Sequence, residues 1–272
     1  MNTKIFTKSG KYLMLALDHR GSFKKLMNPT APDSVTKAEA VELKREIITS
    51  TEAYFSGLLI DQEYGLAAYK GPEKPFLLPL EKSGYAGKDS ERLTELEFSA
   101  SRLKQMGAAG AKLLLYFNPH NNVADKQLAV AKAAIGDCKG SGLPLFLEIV
   151  TYQPESSELL PSLVGESVAA FLGAGLLPDV FKLEYPGSLA AAKQITGQLG
   201  SRMPWILLTR GAKFEDFTRQ LQDAISGGAA GFLAGRALWQ EAASLPPEGR
   251  VDFLQDILPA RFQKLNQIAL GL

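Results

Sequence analysis

The sequence predicts a single-domain α/β protein, a (β/α)8 TIM barrel spanning residues 1–272, and three observations favour this fold. Eight short apolar runs alternate with longer amphipathic stretches along the chain. The runs are continuously apolar, as expected of parallel strands that are covered on both faces. The length gives about 34 residues for each strand–helix unit, close to the usual size of such a barrel.

The alternative fold, a doubly wound open sheet, lacks its usual sequence signature. No Gly-x-Gly-x-x-Gly or Walker A loop follows an early strand, and the glycine-rich run Gly227–Gly235 matches neither pattern. No linker or compositional break indicates a second domain.

Each predicted strand is a short apolar run bounded by charged residues, glycine or proline. In chain order the strands are Tyr12–Asp18, Phe55–Asp61, Lys74–Leu80, Gly110–Phe117, Pro144–Val150, Val180–Pro186, Pro204–Thr209 and Gly231–Gly235. The stretch Pro72–Gly87 is the least regular of the chain, and we expect an insertion or a lid there.

The predicted helices carry apolar residues at helical spacing among charges. A glycine just past the end of a helix is typical of a left-handed cap. In chain order the helices are Thr36–Thr51, Asp89–Met106, Asn122–Lys139, Ser162–Leu172, Ser188–Leu199, Lys213–Ser226 and Val251–Ile268.

The composition excludes several classes of function. Thirty Lys and Arg against 29 Asp and Glu leave a net charge of +1, which argues against binding nucleic acid by bulk charge. No apolar run approaches the ~18 residues of a membrane span, and no signal-peptide run follows the N-terminus. Cys138 has no partner for an internal disulfide, so we expect a cytoplasmic protein. Two histidines are too few for a three-histidine zinc site.

Charged residues interrupt the apolar strands, and these positions are the most informative of the sequence. Side chains along a barrel strand alternate between the packed interior and the helix layer. In three neighbouring strands this alternation points charged side chains inward, where they are costly unless paired. They are Lys112 in the fourth strand, Glu148 in the fifth, and Lys182 and Glu184 in the sixth.

Two lysines inside a barrel can support covalent chemistry. A lysine amine that is partly removed from water and lies beside another cation can lose its proton and attack a carbonyl. The protonated imine that results withdraws electrons, so a neighbouring C–C bond breaks without a metal, while nearby carboxylates move protons. Lys182 is the candidate nucleophile.

Other interpretations of the same residues remain open. The inward lysines and glutamates can be structural ion pairs. Asp18 and Asp61 end the first two strands, at the rim where barrel enzymes place their sites. Together with Glu148 they can form a magnesium site instead.

Two loops at the same rim have the composition of an anion site. Many barrels bind phosphate through backbone N–H groups in the loops after the last two strands. Here Thr209, Arg210 and Gly211 follow the seventh strand, and Gly235 and Arg236 follow the eighth. Glycine lets the backbone approach an anion, and arginine supplies a guanidinium.

These motifs, taken in order, resemble one family across nearly the whole chain. The segments LALDHRGS, LLIDQEYG, GAKLLLYF, PLFLEIVTY, DVFKLEYP, PWILL and GAAGFLAGRALW are similar to those of tagatose-1,6-bisphosphate aldolase and its relative sulfofructosephosphate aldolase. The strand containing Phe181–Pro186 and the segment Gly231–Trp239 are the most specific. The resemblance implies a metal-free class I aldolase with a (β/α)8 fold.

The resemblance also implies a role for individual residues. Lys182 matches the Schiff-base lysine, Lys112 the second lysine, Glu148 the carboxylate of the fifth strand, and Asp18 the aspartate of the first. The anion-binding end matches Arg236, the backbone at Gly235, and Gly211.

The sequence departs from the family at two positions. His19 stands where the family usually has glutamine, and Thr209-Arg210-Gly211 replaces a usual Ser-Ala-Gly or Ser-Ser-Gly. Together with Asp61, the residues His19, Thr209 and Arg210 are predicted to contact substrate.

The resulting hypothesis is an aldolase that cleaves a phosphorylated ketose to dihydroxyacetone phosphate, with no cofactor beyond the imine on Lys182. A magnesium-dependent barrel lyase and a non-catalytic sugar-phosphate-binding barrel are the alternatives. The expected partner is a small sugar phosphate, with neither nucleic acid nor membrane. Self-association into a homo-oligomer is expected because barrel aldolases of this kind are often oligomeric.

Overall fold

The computed structural model describes the chain except residues 72, 88–90, 153–160 and 202. Eight parallel strands follow one another around a ring, and the last pairs with the first, so the sheet closes. The predicted (β/α)8 TIM barrel is therefore confirmed. Among the described residues, no helix is both long enough and apolar enough to span a bilayer.

The barrel strands lie close to their predicted positions. A two-residue strand, β1 (Thr7–Lys8), precedes the ring and pairs antiparallel with its first strand. The ring consists of β2 (Lys11–Leu17), β3 (Gly57–Ile60), β4 (Phe76–Pro79), β5 (Gly110–Phe117), β6 (Leu145–Thr151), β7 (Val180–Leu183), β8 (Trp205–Leu208) and β9 (Gly231–Ala234).

Helices fill the connections and surround the ring. They are α1 (Gly21–Met27), α2 (Lys37–Thr51), α3 (Gly65–Ala68), α4 (Ala100–Gln105), α5 (Ala124–Ser141), α6 (Ser162–Gly173), α7 (Leu189–Leu199), α8 (Phe214–Ser226), α9 (Arg236–Ser244), α10 (Pro247–Asp252) and α11 (Leu258–Leu270). A π-helical turn, Phe253–Ile257, joins the last two, where the sequence predicts one uninterrupted helix.

The predicted helix Asp89–Met106 is wrong over most of its described length. Asp89 itself lies outside the described residues, and only Ala100–Gln105 is helical. The residues that precede this short helix pair with the segment that follows β4. For example, Ala86 and Leu93 exchange two backbone hydrogen bonds, of 3.0 and 2.8 Å. These pairings make the described residues between β4 and α4, 80–87 and 91–99, an irregular excursion over the rim, which we call the β4–α4 excursion. Of the predicted irregular stretch Pro72–Gly87, Pro72 lies outside the described residues, Phe76–Pro79 form β4, and residues 80–87 belong to this excursion.

Two hydrophobic layers position the rim. Alternate strand residues pack inside the barrel, and Phe6 closes its floor edge-to-face with Phe146 at 5.2 Å. The opposite strand faces pack against the helices in a larger cluster that includes Leu113, Leu147 and Phe181. Because apolar side chains fill the lower interior, the charged residues are gathered at the carboxyl ends of the strands.

Candidate active site

A cavity of about 440 Å³ opens at the carboxyl ends of the strands, and we call it the rim cavity. Nine of the eleven residues that the sequence predicts for catalysis or substrate binding line it. They are Asp18, His19, Lys112, Glu148, Lys182, Thr209, Arg210, Gly235 and Arg236. Gly211 lies beside Arg236 without lining the cavity. Asp61 does not line the cavity either and pairs with Lys44.

Lys182 and Lys112 project into the barrel interior from β7 and β5, as the alternation predicts. Their side chains are each only 5% exposed. The Nζ of Lys182 lies 2.8 Å from Oε2 of Glu148, and the Nζ of Lys112 lies 3.3 Å from the same oxygen. One carboxylate of β6 therefore links the two amines.

Lys112 has two further carboxylate partners. Its Nζ lies 2.9 Å from Asp18 and 2.5 Å from Glu81. Burial lowers the pKa of Lys112, but attraction to Asp18, Glu81 and Glu148 outweighs it and holds the pKa well above its usual value. Burial raises the pKa of Asp18, and the larger combined attraction of Lys112, His19 and Lys182 brings it well below its usual range.

Glu81 is a site residue that sequence reasoning missed. It follows β4 at the start of the β4–α4 excursion, and burial raises its pKa, with Lys112 opposing the shift. Its Oε2 is buried with no hydrogen-bond partner among the described residues. The signal that could have found it is its place directly after the predicted strand Lys74–Leu80, at the same end of a strand as Asp18.

The opposite side of the rim cavity presents anion-binding groups. Helix α9, which the sequence did not predict, begins at Arg236, and no side chain caps its N-terminus. Its first-turn N–H groups and partial positive charge suit an anion. Gly211 has a φ of +76°, and a Cβ there would come 3.2 Å from the guanidinium of Arg236. Glycine therefore leaves room for this arginine.

Arg210 pairs with Glu184, which strand alternation predicts to point into the barrel with the two lysines. Glu184 also accepts hydrogen bonds from the N–H and the hydroxyl of Thr151 at 2.9 and 2.6 Å. Burial raises the pKa of Glu184, with Arg210 as the main opposing influence. Glu184 thus contacts neither lysine and neutralises Arg210 instead.

His19 packs its ring edge-to-face on Trp239, with centroids 5.2 Å apart. Trp239 itself donates a 2.9 Å hydrogen bond to the Ala16 carbonyl of β2. Burial lowers the pKa of His19 to about 4, and Asp18 opposes the shift while Arg236 adds to it. The imidazole is therefore neutral at pH 7.

Asp61 is turned away from the rim cavity. It forms a fully buried ion pair with Lys44 of α2, and its Oδ1 accepts hydrogen bonds from the N–H groups of Glu63 and Tyr64. Of the three carboxylates of the magnesium hypothesis, Asp18 and Glu148 therefore share Lys112 as a partner, whereas Asp61 pairs with Lys44. In the described part of the chain, no group of three or more His, Cys, Asp or Glu side chains is arranged to hold a metal ion.

Solved structures with the same architecture include aldolases. An archaeal fructose 1,6-bisphosphate aldolase superposes with a TM-score of 0.72 over 99% of this chain and 97% of its own, at 20% identity. A second archaeal structure, whose catalytic lysine is covalently bound to the carbinolamine intermediate of the substrate, superposes with a TM-score of 0.70 at 21% identity, covering 97% of both chains. At these identities the likeness shows the fold alone.

Sequence relatives are more similar. Tagatose 1,6-diphosphate aldolase of Lactococcus lactis is 31% identical, over 90% of this chain and 84% of its own. The enzyme of that name from Staphylococcus aureus is 31% identical, over 85% of this chain and 81% of its own. Residues 12–241 match the DeoC/LacD family aldolase. The chain therefore belongs to the DeoC/LacD family of aldolases.

Proposed function

We propose that this protein is a class I aldolase that cleaves a phosphorylated ketose to dihydroxyacetone phosphate and an aldehyde, through an imine on Lys182. The observation that carries the proposal is the buried amine of Lys182, which lines the rim cavity 2.8 Å from Glu148. Relatives named tagatose 1,6-diphosphate aldolase support a ketose bisphosphate as substrate. Tagatose and fructose bisphosphates and sulfofructose phosphate are the candidates.

The surroundings of the two lysines separate their roles. Lys112 contacts three carboxylates and keeps its proton, so it acts as a fixed cation. Lys182 contacts only Glu148 among the described carboxylates, and it is the amine available for attack.

The reaction begins when Nζ of Lys182 attacks the ketone carbon. Loss of water from the carbinolamine gives a protonated imine, which accepts electrons from the neighbouring C–C bond. Glu148 takes the proton of the C4 hydroxyl, the C3–C4 bond breaks, and the aldehyde leaves. The enamine is then protonated at C3, and water releases dihydroxyacetone phosphate and free Lys182.

Binding of the phosphate aligns the carbonyl with the amine. Arg236 and the first turn of α9 hold the phosphate nearest the ketone, with Gly235, Thr209 and the backbone at Gly211 beside it. Fixing this group converts the attack of Lys182 into an intramolecular step. No metal ion is needed, since the imine supplies the electron sink.

The test is covalent trapping. Borohydride added during turnover of tagatose or fructose 1,6-bisphosphate should leave a reduced adduct on Lys182, located by peptide mass spectrometry. Lys182→Met should lose the adduct and the activity, whereas Lys193→Met, on the exposed face of α7, should keep both. EDTA should leave the wild-type rate unchanged.

Other outcomes identify the alternatives. Activity that survives Lys182→Met and disappears with EDTA indicates a metal-dependent lyase. Thermal stabilisation by ketose phosphates without turnover of any of them indicates a binding protein. A cytoplasmic location and self-association stay predictions, and light scattering at several concentrations tests the second.

A further inference from the structure

A second cationic group, Arg92, packs against two tyrosines in the wall opposite the α9 end of the rim cavity. In a ring of eight strands β5 lies across from β9, four positions away in either direction. Tyr116 of β5 and Tyr85 of the β4–α4 excursion line the cavity there, with ring centroids 4.5 Å apart. The guanidinium carbon of Arg92 lies 5.3 Å from the ring of Tyr116 and 5.5 Å from that of Tyr85. We call these three residues the Arg92 cluster.

Buried hydrogen bonds fix the Arg92 cluster to the barrel. The side-chain amide of Gln127, which is 1% exposed, donates to the carbonyls of Arg92 at 3.0 Å and Tyr116 at 3.1 Å. The hydroxyl of Thr94 donates to the Leu114 carbonyl at 2.9 Å. Two elements, α5 and β5, thus hold the backbone that carries Arg92 beside the two tyrosines that line the cavity.

Among the described residues, Arg92 has no carboxylate partner, in contrast to the cations near it. In the same excursion, Lys82 pairs with Glu95. Glu97 of the excursion pairs with Arg20. No carboxylate of the described residues lies within ion-pair distance of Arg92. Stacking on a ring uses the face of a guanidinium and leaves N–H donors at its edge, where they can bind phosphate or sulfonate.

We infer that Arg92, supported by Tyr85 and Tyr116, binds an anionic group at the far end of the ketose, a phosphate or a sulfonate. The near phosphate then lies at Arg236 and α9 across the cavity, and Lys182 meets the carbonyl between them. This inference rests on the proposed function and identifies the residue that selects for a charged distal end.

The experiment compares three substrates that differ only at that end: ketohexose 1,6-bisphosphate, the 6-deoxy-6-sulfo ketose 1-phosphate, and ketohexose 1-phosphate. The readout is the ratio of kcat/KM for each anionic-ended substrate to that for the neutral-ended one. Arg92→Gln should lower the ratio for the preferred anion about 10- to 100-fold, because a charge-assisted hydrogen bond is lost. Arg92→Lys keeps the charge without the planar guanidinium, so its ratio should lie between those of the wild type and Arg92→Gln.

The matched control is Arg102→Gln on the exposed face of α4, which makes the same charge change and should leave the ratio unmoved. A ratio as high in Arg92→Gln as in the wild type overturns the inference, as does an equal loss on all three substrates. In the wild type, the kcat/KM of the sulfonate substrate divided by that of the bisphosphate shows which distal anion the Arg92 cluster prefers. Wild-type protein that yields no borohydride adduct with any ketose phosphate refutes the proposed function instead.

Discussion

His19 lies at the rim cavity among charges of both signs. Its Nδ1 is 3.8 Å from Asp18, and Arg236, Lys44 and Lys182 add positive charge around the ring. Burial is the largest influence and brings its pKa to about 4. A neutral imidazole there can donate and accept hydrogen bonds with sugar hydroxyls, as the side-chain amide of glutamine does, without adding to the positive charge.

This environment predicts how stability depends on pH. An unfolded histidine has a pKa near 6.5, whereas that of folded His19 is about 4, so between these values the unfolded chain binds the additional proton. The contribution of His19 to the free energy of unfolding is therefore at its full value above about pH 6.5. It decreases by about 3 kcal/mol as the pH falls toward 4. Urea unfolding should show this component in the wild type and lose it in His19→Gln. Parallel stability curves for the two proteins would contradict the depressed pKa.

The sequence predicts the centre of the site better than its edges. Strand alternation identifies Lys112, Glu148 and Lys182, because a parallel barrel strand has only two faces and the outer one is apolar. Alternation ends where the strand ends, so it cannot predict that Asp61 turns outward. For the same reason the role of Glu81 stays hidden until the excursion after β4 brings its carboxylate to Lys112.

At the scale of elements, Lys44 joins helix α2 to the ends of β2 and β3. Its fully buried Nζ pairs with Asp61 and donates 2.8 Å hydrogen bonds to the carbonyls of Leu17 and His19, on either side of Asp18. One amine therefore fixes the turn that carries Asp18 and connects it to the next strand.

Removing this amine should destabilise the fold strongly. Lys44→Met leaves the Asp61 carboxylate buried without its cation, and we expect a loss of about 3–5 kcal/mol in the free energy of unfolding. Arg45→Met is the control, because the adjacent Arg45–Glu42 pair is exposed and should cost less than about 1 kcal/mol. Lys44→Met with Asp61→Leu should recover part of the loss. Equal costs at positions 44 and 45 in urea unfolding would contradict this account.

Helices with one clear apolar face are predictable, and those defined by tertiary contacts are not. Thr36 begins α2 through a capping box with Glu39, a local signal present in the sequence. In contrast, Leu93 and Leu96 fit a helical pattern, but their segment is extended because its backbone groups pair with residues 80–86. Helix α9 was missed because it follows β9 without a polar cap, which leaves its N-terminus open toward the cavity.

For the whole molecule, the number and order of strands are predictable from spacing, and closure depends on contacts distant in sequence. The eight apolar runs, separated by helices, predict eight parallel strands with helical crossovers. Closure takes place where Tyr12 of β2 pairs with Gly231 of β9, residues far apart in the chain. This junction brings Asp18 and Arg236 to the same cavity.

Gly231 permits this closure, and it provides a test of it. Its φ is +144°, and a Cβ would lie 2.0 Å from the backbone oxygen of Tyr12, so the strands cannot pair there with a side chain present. We expect Gly231→Ala to lower the free energy of unfolding by on the order of 3 kcal/mol or more. Gly197→Ala makes the same change on the exposed side of α7, where nothing lies within 4 Å, and should add up to about 1 kcal/mol. Denaturation of both variants in urea gives the comparison, and a Gly231→Ala protein as stable as the wild type would show that the β2–β9 junction tolerates a side chain.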